Sequence, residues 1–477
     1  MNRQNFLGHL ALALMLVLVA AFVGQVRRWE SRRPAPAGAL KQRRAEPPAP
    51  HAFRGSRGEP EVLVRFREGV PAERVRALTA LRNDEVEDEI EAVGGLYSVD
   101  DRDDADAERV AAEYAALPEV AYAEPNARIE VGPNASYSFY REFIAELDGG
   151  PNDPLFPEQW SLINKGQREG LDKADINAVA AWAKTRGSGK VVVAVLDSGV
   201  DYTHADLVEN MWTRPARLSP YFDDELGSFD DFNGYSAVDS ARDPMDENGH
   251  GTHVAGIIGA RGNNGLGVTG INWEVEIMPL KFMGRGGFGT TKAAIEAINY
   301  AVDRKRAGVN VRVINASWGS RSKSKALEDA IRAAGREGIL FVAASGNDGT
   351  DADRRPHYPS NYDLPNLLSV AAMNRRDELA SFSNYGAKTV HLAAPGAEIL
   401  STWLGDSYEE HSGTSMATPV VAGVAALVLS AEPDLDVKAL RERLLETSDR
   451  LDSLKGKVSS GGRVNAARAV GAPDSSR

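Results

Sequence analysis

The fold class is decided at residues 191–200, which read VVVAVLDSGV. Six apolar residues in a row, four of them valine, are typical of a strand buried on both faces of a sheet. Runs of the same kind return at 274–282, 309–316, 339–344 and 367–372. The chain therefore contains the strands of one large buried sheet.

Helical segments lie between several of these strands, notably at 291–306 and 325–337. The alternation predicts a doubly wound α/β fold, in which a mostly parallel sheet carries helices on both faces. Residues 415–430 are apolar nearly all round, which is typical of a buried central helix. This segment is too short and too well capped to be expected to cross a membrane.

The composition is that of an ordinary globular protein and excludes several kinds of chemistry. The chain has 477 residues, of which 43% are hydrophobic and 26% charged, and it contains no cysteine. A disulfide scaffold, a thiol nucleophile, an iron–sulfur site and a thiolate zinc site are therefore excluded. The net charge of −13 argues against a nucleic-acid-binding protein.

The charge is distributed unevenly and suggests three units. Residues 1–58 hold ten basic and two acidic side chains, whereas residues 59–131 hold eight basic and twenty acidic ones. Residues 10–23 form an apolar run that suits a signal-peptide core better than a membrane span of ~20 residues. Basic residues follow closely and no clean cleavage site is evident, so 1–26 is a signal peptide or a membrane anchor. Residues 27–58, rich in Pro, Ala and Arg, predict a disordered linker.

The second unit, residues 59–131, predicts a small α+β domain. The expected strands and helices, in chain order, are a strand at 61–67, a helix at 71–81, strands at 85–93 and 96–99, a helix at 105–117 and a strand over 120–131. The order β-α-β-β-α-β is typical of a ferredoxin-like split βαβ sandwich. An acidic accessory domain without a special role is the alternative.

Three short segments carry residue types that suit catalysis. Asp197 follows directly on the strand 191–196, where α/β sheets place their sites, although a helix cap or turn is the alternative. His250 stands among glycines at a helix start, where a substrate can approach closely. Ser415 opens the buried helix, and a plain N-cap serine is its alternative. Together they suit a nucleophilic relay in which Asp orients His, His takes a proton and Ser attacks.

His253 stands three residues after His250 and is expected to be a structural, hydrogen-bonded histidine. A metal pair formed by the two histidines, as in a zinc hydrolase, is the competing interpretation. It needs a third ligand, and the sequence offers no obvious one.

The three segments resemble the signature blocks of the subtilisin-like serine proteases, the subtilases. The blocks lie at 195–200, 250–256 and 413–419, in the chain order Asp, His, Ser. The resemblance implies a subtilisin-like catalytic domain over 152–472. It also implies an exported serine endopeptidase that hydrolyses peptide bonds through an acyl-enzyme, with an inactive peptide-binding member of the fold as the alternative.

The resemblance assigns further residues to the site. Asn347 matches the family's oxyanion donor, which agrees with the need of acyl transfer for a donor aimed at the developing charge. An extended substrate would pair with an edge segment of the sheet. The expected substrate-binding residues are Ser317, Trp318, Gly319, Ala344, Ser345, Gly346 and His357.

His357 departs from the family pattern because it stands where subtilisin has a small pocket-lining glycine. A histidine there puts a broad hydrophobic pocket in doubt. The loop before it varies in length among relatives, so a shifted register that turns His357 to solvent is the alternative.

Residues 118–126 resemble the end of the family's inhibitor-type propeptides. The resemblance implies that 59–131 assists the folding of a slow parallel sheet and blocks the cleft. Cleavage is then expected within the junction 132–151. The expected partners are polypeptide substrates and the chain's own propeptide, with no nucleic acid and with a membrane only if the N-terminal segment is retained. A monomer is expected.

Calcium is the cofactor that the resemblance implies. The expected ligands are Asp153, Asp206 and Asn264 through their side chains, and Leu266 and Val268 through their carbonyls. Mixed carboxylate, amide and carbonyl oxygens suit this hard cation. An acidic stretch over 223–246 either holds a second calcium or is solvated loop charge.

Overall fold

The computed structural model describes residues 61–103, 105–132, 135–137, 150–223, 227–238 and 243–473. The predicted signal or anchor segment 1–26 and the linker 27–58 lie outside the described residues. The described residues all belong to one compact unit.

The first described part is a four-stranded antiparallel sheet with strand order β2-β3-β1-β4 and two helices on one face. Its elements are β1 (Glu61–Phe66), α1 (Ala72–Ala80), β2 (Asp84–Glu89), β3 (Leu96–Asp101), α2 (Ala107–Ala115) and β4 (Val120–Pro125). This order confirms the predicted α+β class. Two predicted strands are too long: the one at 85–93 ends in a short 3-10 helix, Glu91–Val93, and the one at 120–131 breaks after Pro125.

Alternation in β1 explains how this small sheet is covered. Val62, Val64 and Phe66 point to one face and pack against α1 and α2. Leu63 points the other way and joins a second buried cluster with the large part of the chain. The small domain is therefore docked through an apolar face.

The remaining strands belong mostly to a nine-stranded sheet. They are β5 (Arg128–Glu130), β6 (Ala135–Tyr137), β7 (Gly187–Asp197), β8 (Tyr221–Asp223), β9 (Gly227–Phe229), β10 (Tyr235–Ser236), β11 (Glu274–Lys281), β12 (Phe288–Thr290), β13 (Val311–Ala316), β14 (Leu340–Ala344), β15 (Leu367–Met373), β16 (Leu392–Pro395), β17 (Ile399–Trp403), β18 (Ser407–Ser412), β19 (Asp449–Arg450) and β20 (Gly462–Arg463). The large sheet runs β10-β11-β7-β13-β14-β15-β16-β20-β19 and is parallel except at its last pair. The predicted doubly wound, mostly parallel fold is confirmed.

Helices cover both faces of this sheet. They are α3 (Ala178–Trp182), α4 (His250–Gly259), α5 (Thr291–Arg306), α6 (Lys325–Arg336), α7 (Thr414–Ala431), α8 (Val437–Glu446) and α9 (Ala466–Ala469). Residues of α4 and α7 lie in one buried cluster and residues of α5 and α6 in the other. Among the described helices, α7 alone is long and apolar enough to cross a membrane, but 89% of its apolar window is buried inside the protein. It is the core helix that the sequence predicts.

Candidate active site

Asp197 and His250, two of the predicted catalytic residues, are hydrogen-bonded to each other. Asp197 is the last residue of β7, and His250 is the first residue of α4. The ring Nδ1 lies 2.7 Å from Oδ1 of Asp197, and both side chains are buried. Because a carboxylate can only accept, Nδ1 carries the hydrogen and Nε2 is left free to take a proton. Burial lowers the pKa of His250, but the charge of Asp197 outweighs it and the net shift is upward.

The loop before α4 is shaped by glycines and one buried carboxylate. Gly249 has φ +100°, and a Cβ on it would overlap the ring of Trp403. Asp246 accepts hydrogen bonds from the backbone N–H groups of Asn248, Gly249 and Thr252, all at 2.8–3.0 Å. These contacts fix the position from which His250 projects.

Ser415, the third predicted catalytic residue, lies in the first turn of α7. Its hydroxyl donates to the carbonyl of Ser317 at 2.9 Å rather than to His250. Nε2 of His250 is buried and has no hydrogen-bond partner within the described part of the chain. Of the three predicted relay residues, Asp197 and His250 are thus hydrogen-bonded to each other, whereas the Ser415 hydroxyl is bonded to Ser317. The N-cap of α7 is Gly413, so Ser415 does not act as a cap.

Asn347 is oriented by the residue that precedes the serine. Its Oδ1 accepts from the backbone N–H of Thr414 at 2.8 Å and from the Thr414 hydroxyl at 2.9 Å. The amide nitrogen therefore faces the other way, toward Gly132, whose ideal Cβ position lies 3.0 Å from Nδ2. Thr414 is a positioning residue that the sequence analysis missed, although it stands inside the serine block.

An extended segment of the chain occupies the cleft beside these residues. β5 pairs antiparallel with β12, and Val131 N–H donates to the Gly287 carbonyl at 3.0 Å. On its other side, Glu130 forms an antiparallel bridge with Gly319. Residues 128–132 are therefore a strand held between two edges. The edge at 317–319 was predicted from the sequence. The second edge, 287–290, was not predicted, although a run of glycines marks it.

A further short strand pairs near the serine block. β6 pairs antiparallel with β18, with Ala135 opposite Ser412. Ser412 directly precedes Gly413, the N-cap of α7.

The remaining predicted substrate-binding residues surround this strand. Trp318 is buried and donates from its indole to the Leu196 carbonyl at 2.8 Å. Ala344 ends β14, and Ser345 donates from its hydroxyl to the Asn384 carbonyl at 3.1 Å. Gly346 follows with φ +101°.

His357 lies against the two segments that flank the cleft. Ideal Cβ positions on Gly319 and on Gly346 would both meet its ring, overlapping it at Gly319 and lying 3.0 Å from Cδ2 at Gly346. The ring nitrogen Nδ1 is buried and lacks a hydrogen-bond partner among the described residues. Burial lowers the pKa of His357 to about 4, so the ring is neutral at ordinary pH. The alternative in which the ring turns to solvent is not the arrangement observed.

His253 and His250 bind different partners. Its Nε2 donates to the Glu409 carbonyl at 3.0 Å, and burial holds its pKa well below the usual value. With Nδ1 of His250 already bound to Asp197, the two rings serve different partners. His253 is a hydrogen-bonded, buried histidine.

The residues predicted to bind calcium lie around the loop that follows α4. Asp153 accepts from the N–H groups of Asn263 and Asn264, and Asp206 accepts from the Val268 N–H at 3.0 Å. Both carboxylates are buried, and burial, with a contribution from nearby Asp153, raises the pKa of Asp206 to about 6. Neither acid has a basic partner within the described part of the chain, so a bound cation would stabilise both.

The side-chain amide of Asn264 lies beside one of these carboxylates. Nδ2 of Asn264 donates to Asp206 at 2.8 Å, and the Leu266 N–H donates to the Asn264 Oδ1 at 2.9 Å. For Asn264 to bind a cation, its side-chain amide would have to rotate so that the oxygen, and not the nitrogen, faces Asp206. This rotation only exchanges the amide oxygen and nitrogen, which are similar in size. The donor set of two carboxylates and an amide suits a hard cation.

The acidic stretch gives no support to a second calcium within the described residues. Asp231 lies 2.6 Å from a guanidinium nitrogen of Arg304 and 2.9 Å from one of Arg214, while Asp246 is used by backbone N–H groups. Asp224 and Asp239 lie outside the described residues.

One further cluster of carboxylates has its own cation. Glu61, Glu87 and Asp100 of the small domain lie close enough together to suggest a metal site. Nζ of Lys292 on α5 lies 3.2 Å from Glu61 and 2.6 Å from Glu87, and it also reaches Glu296 at 3.3 Å. A protein ammonium group already neutralises part of this charge.

A doubly wound sheet that carries Asp, His and Ser at its carboxyl edge, with an amide donor beside the serine, defines the subtilisin-like class. Comparison with known families agrees: residues 188–471 match the subtilase family, Peptidase S8, and residues 58–126 match the fervidolysin N-terminal prodomain. The chain belongs to the subtilase family.

Three curated relatives illustrate this membership. A thermophilic serine proteinase of Bacillus sp. (strain AK1) is 38% identical over 291 residues, which cover 61% of this chain and 64% of the relative. The halolysin-like extracellular serine protease Nep of Natrialba magadii is 36% identical, over 67% of this chain and 52% of the relative. Thermitase of Thermoactinomyces vulgaris is 35% identical, over 67% of this chain and 99% of the relative. The chain spans less than two thirds of the length of the first two.

Proposed function

We propose that this chain is an exported serine endopeptidase that is made as a zymogen. The observation that carries the proposal is the strand 128–132, which lies antiparallel between two edges with Gly132 against the amide nitrogen of Asn347. Backbone hydrogen bonding of this kind binds an extended polypeptide with little dependence on its side chains. The polypeptide substrate would lie where the chain's own segment lies here.

The site residues have distinct roles in the proposed reaction. Ser415 Oγ attacks the carbonyl carbon while its proton passes to Nε2 of His250, and Asp197 stabilises the imidazolium that forms. The carbonyl oxygen becomes an oxyanion, to which Asn347 Nδ2 donates. His250 then gives its proton to the leaving amine, and the acyl-enzyme on Ser415 is hydrolysed by water along the same route.

The small domain acts as the intramolecular inhibitor in this proposal. Its Glu124 accepts from Lys325 N–H at 2.9 Å and from Ala326 N–H at 3.2 Å, at the start of α6. Asn126 accepts from Lys292 N–H at 2.9 Å, at the start of α5. Acceptors at the ends of two helices, together with the buried apolar face around Leu63, hold the domain so that the segment after it enters the cleft. We place the proteolytic junction within 132–151 and the mature enzyme at 152–472.

Calcium is the proposed cofactor. Asp153, Asp206 and Asn264 would hold it, with carbonyls of Leu266 and Val268 as further ligands. Bound there, the ion would neutralise two buried carboxylates and tie the segment around Asp153 to the loop that follows α4. The ion would stabilise the folded enzyme and would take no part in the acyl-transfer steps, which use other residues.

Export is part of the proposal as well. The apolar run at 10–23 is suited to a signal peptide, and one relative carries the word extracellular in its name. Retention by the same segment as a membrane anchor is the alternative.

A serine-directed fluorophosphonate tests the proposed activity. After removal of the prodomain, the wild-type protein should become labelled, and mass spectrometry of its peptides should locate the label on Ser415. Ser415→Ala is the matched control and should remain unlabelled. An unlabelled wild-type protein that still binds peptides would instead indicate an inactive, peptide-binding member of the fold.

A further inference from the structure

The strand in the cleft fixes which of its residues faces the reacting groups. Glu130 pairs with Gly319, Val131 donates to Gly287, and the next residue, Gly132, lies against Asn347. Gly132 is therefore at the position called P1, whose carbonyl a serine nucleophile attacks. An ideal Cβ on Gly132 would lie 3.0 Å from Nδ2 of Asn347, closer than such a pair normally comes.

The space beside P1 is filled by a side chain of the protein itself. One edge of the His357 ring lies against Gly319, which pairs with the strand, and the other lies against Gly346, next to the oxyanion donor. The ring therefore spans the gap between the two backbone segments that flank P1. A large side chain at P1 that extends between these two segments would have to displace it.

The backbone of His357 is anchored, which opposes such a displacement. Its N–H donates to Oδ1 of Asn361 at 3.0 Å, and its carbonyl accepts from the Asn361 N–H at 2.9 Å and from the Ser360 hydroxyl at 2.7 Å. The ring also makes a hydrogen bond to the backbone of Ala344. Moving it would break that bond and leave a buried polar ring without partners.

We propose that the site selects glycine at P1, because His357 closes the space that a larger P1 side chain would enter. This inference rests on the endopeptidase function proposed above and names its substrate class: polypeptides with glycine before the cleaved bond. The chain's own segment has this feature, since Gly132 occupies P1. A filled pocket excludes a larger side chain more strongly than an open pocket favours one. Even a single methylene group changes kcat/KM by about 10–200-fold.

A peptide series that varies only P1 tests the inference. The processed enzyme, recovered from the full-length chain, is given peptides of one sequence with Gly, Ala, Leu or Phe at P1. For the wild type we expect kcat/KM for Gly to exceed that for Leu and Phe by about 100-fold or more. His357→Gly should raise kcat/KM for Leu and Phe at least ~10-fold. His357→Leu keeps the bulk without the ring nitrogens and should retain the preference for Gly.

The outcomes separate the inference from the function on which it rests. A wild-type enzyme that is labelled by fluorophosphonate but cleaves the Phe peptide as well as the Gly peptide would overturn the selectivity and leave the endopeptidase standing. A protein that is neither labelled nor active on any peptide would overturn both. The wild-type series decides the matter even if a variant fails to fold.

Discussion

Thr414 holds Asn347 in place through two hydrogen bonds, one from its backbone N–H at 2.8 Å and one from its hydroxyl at 2.9 Å, both to Oδ1. The amide nitrogen is directed at the cleft as a result. An oxyanion donor works best when its orientation is fixed before the charge develops, so Thr414 would prepare Asn347 for the role proposed for it.

Asn347→Ala should lower kcat by ~10²–10³ with little change in KM, the range measured when an oxyanion donor of subtilisin is removed. The reason is that the donor binds charge that exists only in the transition state. Steady-state kinetics on a P1-glycine peptide checks this. A large rise in KM with kcat unchanged would mean that Asn347 binds the ground state instead.

Thr414→Val should lower kcat by roughly 2–10-fold, the effect of losing one neutral hydrogen bond of ~0.5–1.5 kcal/mol. KM should stay constant because the substrate does not touch the hydroxyl. The matched control is the same change in an Asn347→Ala background, where it should have no further effect on kcat. An equal loss in both backgrounds would show a general structural role, since Gly346 N–H also donates to that hydroxyl.

Chelation of calcium should lower the thermal midpoint of the mature enzyme by several degrees. An ion present at 100 times its Kd stabilises the native state by ~2.7 kcal/mol, and each kcal/mol shifts the midpoint by about 2–4 °C in a domain of 150–250 residues. Asp206→Asn should remove most of the difference between calcium and chelator. The exposed Asp172→Asn is the control and should keep it; equal midpoints of the wild type with calcium and with chelator would contradict the site.

The docking of the prodomain should weaken as pH rises toward 7. Burial raises the pKa of Glu61 to about 7, with Glu87 adding to the shift and Lys292 opposing it. A raised pKa means that the docked state binds an extra proton. Its stabilising effect is full below the ordinary pKa of 4.5 and is lost as pH rises through about 7.

Glu61→Gln removes the titratable group at this position and should reduce this dependence, while Glu91, whose pKa burial also raises to about 7, maintains part of it. The exposed Glu68→Gln on the same domain should leave the dependence unchanged. The measurement is the rate at which peptide-hydrolysing activity appears in the full-length precursor across pH 4.5–8, divided by the activity of the processed enzyme at each pH. Identical profiles for wild type and Glu61→Gln would remove Glu61 from the control of release.

The sequence predicted the elements that local pattern determines. The valine-rich run ending in Asp197, the buried α7 and the order of the small domain follow from apolar periodicity. The strand predicted over 120–131 failed at Pro125 because Asn126 leaves the sheet to bind the start of α5. That contact joins residues 166 positions apart, and no local signal announces it.

The site residues that lie in short sequence motifs could be predicted, whereas contacts that depend on tertiary packing could not. Asp197, His250 and Ser415 each stand in such a block. The edge at 287–290, the orientation of Asn347 by Thr414 and the position of the His357 ring arise only when distant loops meet.

The most direct test of the central claim compares the purified full-length wild-type and Ser415→Ala chains by intact mass spectrometry, which shows whether each chain is cleaved. If the chain is a serine endopeptidase that processes itself, the wild type should yield a prodomain and a mature fragment through a cut within 132–151. Ser415→Ala should stay intact under the same conditions, since loss of a triad residue costs subtilisin ~10⁶ in kcat. Normal processing of the purified Ser415→Ala chain, free of other proteases, would contradict the account.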